Sequence, residues 1–112
     1  VDRMRDMIIS GAENIYPKEI EDTLMTHPGV REVAVFGIPD EIYGEAVCAT
    51  VVKKKGHELD EDEVITYCTS KLSSYKKPKR VVFMGELPKT ASGKITKNVL
   101  RDPYWAEKKQ RV

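Results

Sequence analysis

The sequence predicts an α+β fold, a small domain with a three-stranded sheet covered by helices plus an N-terminal two-stranded hairpin. Three observations predict it. Short β-branched apolar runs alternate with stretches at helical spacing, in the order strand, helix, strand, strand, helix, strand, helix. One run, AVCATVVKK, is apolar almost throughout, as a central strand should be. And 112 residues suit one domain, able to bury roughly two-thirds of its unfolded surface.

Met7 to Ile9 and Asn14 to Tyr16 are strand-like around Ser10, Gly11 and Ala12, which predicts a small hairpin or loop. PKEIEDTLMTHPG follows as a helix. Pro17 suits a first turn, Glu19 and Glu21 suit the positive N-terminal end, Ile20 and Leu24 share a face, and Pro28 with Gly29 stops it. VREVAVFG is a strand ended by the turn residues of IPDEIYGE. After the central run and its KKGHE exit, Asp60 and Glu63 form a capping box for a helix bearing Val64, Ile65, Cys68 and Leu72. RVVFM is the third core strand and GELPKTASGK a loop. ITKNVLR is a short helix with Ile95, Val99 and Leu100 facing inward, and DPYWAEKKQRV a tail that starts ordered and frays.

Composition narrows the function classes. With 19 basic and 18 acidic side chains the net charge is +1, so nothing global points to nucleic acid or an anionic membrane. No apolar run approaches the roughly 20 residues of a membrane span, and VDRMRDMIISG lacks a secretory leader, so the expected location is cytoplasmic. Its abrupt start reads as a piece of something longer. Cys48 and Cys68 lie in apolar settings and suit buried reduced thiols better than a redox pair; His27 and His57 have no partners suggesting a triad or zinc site, and no metal ligand is expected.

Three stretches are candidates for chemistry. PKTASGK places Lys94 behind a Ser-Gly pair, where glycine permits close approach to a ligand. It is no Walker loop, because Pro88 occupies the first glycine position and Ile95 follows the lysine. By itself it describes a solvated surface lysine better than a functional one. SSYKKPKR sets Tyr75 beside Lys76, Lys77, Lys79 and Arg80, which suits a phosphorylated nucleotide, with cations on phosphates and a ring on the base; it also suits a solvated charge run. DRMRDMIISGAENIYPKEIE pairs two arginines with a small-residue turn, compatible with a hinge before a loop that hugs a narrow ligand. Glu13 and Asn14 serve equally as turn residues.

Taken together, DRMRDMIISGAENIYPKEIE, HPGVREVAVFGIPDEIYGEAVCATVV, LSSYKKPKRVVF and ELPKTASGKITKNVLR closely resemble the C-terminal domain of acyl-CoA synthetases of the adenylate-forming superfamily, over residues 2 to about 101. The resemblance implies a hinge segment at 1–6, a lid domain at 7–101 and a tail at 102–112. It also implies a larger N-terminal domain holding most of the ATP and acid pockets. The implied reaction has two steps: a carboxylate attacks the α-phosphate of ATP to give acyl-AMP and pyrophosphate, then the thiol of coenzyme A displaces AMP. Between the steps the small domain rotates.

On this resemblance Lys94 is the adenylation lysine, Arg5 the hinge residue and Arg3 a contact to the AMP ribose and phosphate. Ser10, Gly11 and Ala12 line the pantetheine tunnel, and Tyr43, Tyr75, Lys77 and Lys79 contact coenzyme A. Three positions depart from the usual pattern: Arg5 replaces aspartate or lysine, Asp2 a glycine and Ala12 a second glycine. The implied co-substrates are ATP, with Mg2+ held outside this domain, and coenzyme A, with a fatty acid as the expected carboxylic acid. A lysine acetyltransferase acting on Lys94 is a further implied partner. Two rivals remain: the equivalent part of a peptide-synthetase adenylation module, against which YKKPK speaks, and an independent basic module holding RNA or an acidic protein, against which the charge balance speaks. The domain by itself is expected to be inactive, because the walls that position reactants lie elsewhere.

Overall fold

The computed structural model describes residues 7–11, 13–72 and 76–111. Ile8–Ser10 (β1) and Glu13–Ile15 (β2) pair as an antiparallel hairpin with Ile8 opposite Ile15. Pro17–Leu24 (α1) begins on its proline, whose preset φ and missing N–H cost nothing in a first turn; Ile20 and Leu24, one turn apart, are buried. Val30–Asp40 (β3) and Gly44–Lys53 (β4) form a long antiparallel ladder. Glu61–Lys71 (α2) then leads to Arg80–Phe83 (β5), parallel to β4, and Lys97–Arg111 (α3) follows. The sheet order is β3–β4–β5, with the apolar run AVCATVV in the middle as expected.

Alternation along the strands sorts the core into two faces. Val33, Val35, Val47 and Val51 meet Ile20 and Leu24 of α1 and Val64 and Cys68 of α2. Phe36, Ile38, Ala46 and Cys48 meet Leu100 and Tyr104 of α3, while Leu87 packs on Ala34 and Val52. A strand covered on both sides has no use for polar alternation, which is why β4 reads as nearly continuous hydrophobe with only Thr50 as a buried polar residue.

The α2 cap forms by half. The Asp60 carboxylate accepts the Glu63 N–H at 2.8 Å, but the Glu63 side chain turns to His27 Nε2 at 3.0 Å instead of reaching back.

Three expectations need correction. First, β3 does not stop at Gly37; it runs through Ile38, Pro39 and Asp40. As an edge strand it tolerates a proline, whose missing N–H removes no ladder bond from a neighbour. Second, the last helix is not the short ITKNVLR segment but Lys97–Arg111, running through Pro103. The usual penalty for an interior proline is offset by packing, because Tyr104 lies against Phe36 and Trp105 Nε1–H donates to the Gly37 carbonyl at 3.0 Å. Third, of Ile95, Val99 and Leu100 only Leu100 enters the core, and Val99 is 55% exposed.

Candidate functional site

Lys94 stands on a closed turn. The Thr90 N–H donates to the Lys94 carbonyl at 2.8 Å, the Gly93 N–H to the Thr90 carbonyl at 2.9 Å, and the Lys94 N–H to Thr90 Oγ1 at 3.2 Å. Gly93 has φ 90°, a left-handed conformation that side chains other than hydrogen resist, so glycine here closes the turn. Below it, Lys89 bridges to Ile95 and the Thr96 N–H donates to the Pro88 carbonyl at 2.9 Å. The side chain of Lys94 is exposed, and among the described residues no acceptor or carboxylate engages its ammonium. The turn therefore presents a cation without neutralising it.

A second cluster forms at the Glu41–Tyr43 turn joining β3 to β4. Asp40 Oδ1 accepts the N–H groups of Ile42 at 2.8 Å and Tyr43 at 3.0 Å, and its Oδ2 takes the Lys79 ammonium at 3.0 Å. Those bonds to the charged form, that of Tyr43 first, then Lys79 and Ile42, hold the Asp40 carboxyl down at about 2. Lys79 also lies 5.0 Å over the centre of the Tyr43 ring. The β1–β2 turn docks here: the Gly11 N–H donates to the Tyr43 carbonyl at 2.8 Å, and a Cβ on Gly11 (φ 62°) would come within 3.3 Å of the Tyr43 ring.

The fold thus brings Gly11, Tyr43 and Lys79 into one cluster, with Ser10 at the end of β1 beside it. Lys77 is exposed nearby in sequence. Lys94 is not part of this cluster. Its loop is tied through the Lys89–Glu32 ion pair to the far end of the ladder, where Glu32 faces Val52. From that pair to the Asp40–Gly44 pair is eight residues of β3, about 26 Å along a strand. Arg3, Arg5, Ala12 and Tyr75 lie outside the described residues. Cys48 and Cys68 are buried and free, and burial pushes both thiols up to about 11, which keeps them protonated. Among the described residues no group of three or more His, Cys, Asp or Glu could hold a metal, and no helix is long and apolar enough to cross a membrane.

Residues 19–94 match the family model of the AMP-binding enzyme C-terminal domain. The chain belongs to that family. The long-chain-fatty-acid–CoA ligase FadD13 of Mycobacterium tuberculosis is 50% identical over 105 residues, covering 94% of this chain and 21% of the ligase. Among solved structures, the Mycobacterium tuberculosis fatty acyl CoA synthetase superposes with a TM-score of 0.85 at 48% identity, over 94% of this chain and 21% of that one. ATP-bound MatB from Rhodopseudomonas palustris gives a TM-score of 0.85 at 44% identity, over 90% of this chain and 20% of MatB. The resemblance to C-terminal domains of acyl-CoA synthetases is therefore borne out, and the chain spans about a fifth of the length of these relatives.

Sequence reasoning passed over two residues of this AMP-binding enzyme C-terminal domain. Asp40 looked like a turn former, yet it organises both Tyr43 and Lys79; an acidic residue three before an aromatic in a hairpin loop was the available signal. Glu21 was read as a partner of its own helix's N-terminal end. Instead its Oε2 accepts the Val35 N–H and the Lys97 ammonium, both at 2.8 Å, and no local pattern carries that information.

Proposed function

We propose that this domain is the mobile C-terminal lid of an ATP-dependent acyl-CoA synthetase, contributing the adenylation lysine and part of the coenzyme A site. The overall reaction is acid + ATP + coenzyme A giving acyl-CoA, AMP and pyrophosphate. The observation that carries this reading is the exposed ammonium of Lys94, unpaired among the described residues, on a hydrogen-bonded turn inside the family match.

In the first step a carboxylate oxygen bonds to the α-phosphorus of ATP while pyrophosphate leaves. Lys94 would sit between the two anions and offset the charge that gathers there. Among the described residues no carboxylate holds its ammonium, so docking breaks no ion pair there, and preorganised charge of this kind is worth about 3 kcal/mol of barrier. In the second step the thiol of coenzyme A attacks the acyl carbon and AMP leaves. Ser10, Gly11 and Ala12 would line the pantetheine path, while Tyr43, Tyr75, Lys77 and Lys79 would take the nucleotide end.

Residues 1–6 would act as the hinge, with Arg5 at its pivot and Arg3 near the AMP ribose and phosphate. Residues 7–101 would form the lid and 102–112 its tail. Mg2+ would travel with the ATP phosphates on the larger N-terminal part, which leaves the lid alone inactive. A fatty acid in the cytoplasm is the substrate we assign. Acetylation of Lys94 by a lysine acetyltransferase would erase its charge and silence the first step.

The test is Lys94→Ala in the complete enzyme. Acyl-AMP formation, followed by pyrophosphate release with fatty acids, falls by about 10²- to 10³-fold. Thioester formation from supplied acyl-AMP survives. Equal loss of both steps refutes the assignment.

A further inference from the structure

The two helical layers are joined across the free edge of β3. Glu21 projects from α1 on one face of the sheet; its Oε2 accepts the Val35 N–H of the edge strand at 2.8 Å and the ammonium of Lys97, in the first turn of α3, at 2.8 Å. Both side chains are four-fifths buried, at 20% exposure for Glu21 and 23% for Lys97. An ion pair so withdrawn from water is far less screened than a surface pair, and the added backbone bond holds the carboxylate in one orientation. Lys97 is three residues beyond Lys94. The intervening Ile95 and Thr96 are themselves tied to Lys89 and Pro88. The base of the Lys94 turn is thus held from one side by the Lys89–Ile95 bridge and the Thr96–Pro88 hydrogen bond and from the other by the clasp on Glu21.

We infer that Glu21 is a positioning residue for Lys94, acting through Lys97, and that the clasp sets where the adenylation cation points. The inference rests on the role proposed for Lys94. Glu21 touches no reacting atom; it acts by orienting the loop, and small misplacements of a charged group cost large factors in rate.

The experiment compares Glu21→Gln, Lys97→Met, the double variant and Lys97→Arg in the complete enzyme, with Lys94→Ala as reference. Glutamine retains an oxygen for the Val35 N–H but drops the charge on Lys97. Acyl-AMP formation in Glu21→Gln and in Lys97→Met is expected to fall about tenfold. Thioester formation from supplied acyl-AMP stays at the parent rate. The double variant is no worse than either single one, because the two act as one unit, and Lys97→Arg recovers most of the loss. Should Glu21→Gln fold poorly, the Lys97 pair of variants decides the matter. Equal loss in both half-reactions, additive losses, or unaltered acyl-AMP formation overturns the inference. If Lys94→Ala abolishes acyl-AMP formation while Glu21→Gln leaves it alone, the clasp falls and the adenylation role stands. If Lys94→Ala is harmless, both fall.

Discussion

At the Thr90–Lys94 turn the cation has no counter-charge among the described residues, whereas at the Glu41–Tyr43 turn Lys79 is held 3.0 Å from Asp40 and 5.0 Å over the Tyr43 ring. Both turns lean on a glycine at positive φ, Gly93 in one and Gly44 in the other, so backbone chemistry does not separate them. What separates them is commitment. A lysine already paired with a carboxylate is ordered, and a ligand phosphate must share it with that carboxylate. An unpaired lysine is available in full but owes its direction to the base of its loop. The first arrangement suits a site that recognises a preformed ligand, and the second suits a charge delivered to a reacting centre held on another body. The base of one turn is tied to Glu32 and the other turn is organised by Asp40, towards opposite ends of β3.

Breaking the committed end gives the largest effect after Lys94 itself. Neutralising Lys77 and Lys79 together, each to Gln, is expected to raise KM for coenzyme A by about 10- to 100-fold, since charge-assisted bonds to phosphate contribute about 1.5–3 kcal/mol. KM for ATP should not move; a matching rise for ATP would merge the two sites and end the distinction drawn between them.

A smaller effect follows from Gly11→Ala. The left-handed φ of 62° costs a side chain about 1 kcal/mol, and the new methyl would press on the Tyr43 ring at 3.3 Å. Steady-state rates with coenzyme A should drop about fivefold while acyl-AMP formation holds. If the adenylation step drops with it, the hairpin is serving the whole lid and not one end.

The smallest is a titration. The Asp40 carboxyl lies at about 2 in the folded chain against an ordinary 3.8. Lowered by folding, it adds stability that is fully present above about pH 4 and is lost as pH falls toward 2. Carbon-detected NMR of the Asp40 carboxyl should find its midpoint near 2, with the Tyr43 amide shifting in step. A midpoint near 3.8 would mean that Lys79 is not committed at all.

Much of this was legible in the chain because local rules govern it. Pro17 and Asp60 mark helix starts through their own backbone chemistry, and the apolar run at 46–52 announces a strand covered on both faces. PKTASGK and YKKPK mark Lys94 and the basic cluster only through the family resemblance they carry; alone, each describes a solvated charge as well. Local reading failed where a distant partner overruled propensity. Pro103 should have ended a helix, and it does not, because Tyr104 and Trp105 find Phe36 and the Gly37 carbonyl on a strand more than sixty residues away in sequence. Val99 fits the helical stripe and still faces outward, since the stripe that counts is set by how α3 lies on the sheet.

By itself, then, the sequence determined the order of strands and helices and where the first two helices start, since those follow from periodicity, caps and turn residues within a few positions of one another. Tertiary structure alone decided that Asp40 answers for Lys79, that Glu21 clasps Lys97 over a strand edge, and that the base of the Lys94 turn is tied through Lys89 to Glu32, eight residues along β3 from Asp40. The reason is range: a hydrogen bond or ion pair between residues tens of positions apart depends on how layers stack. Nothing in the neighbourhood of either partner encodes the distance between them.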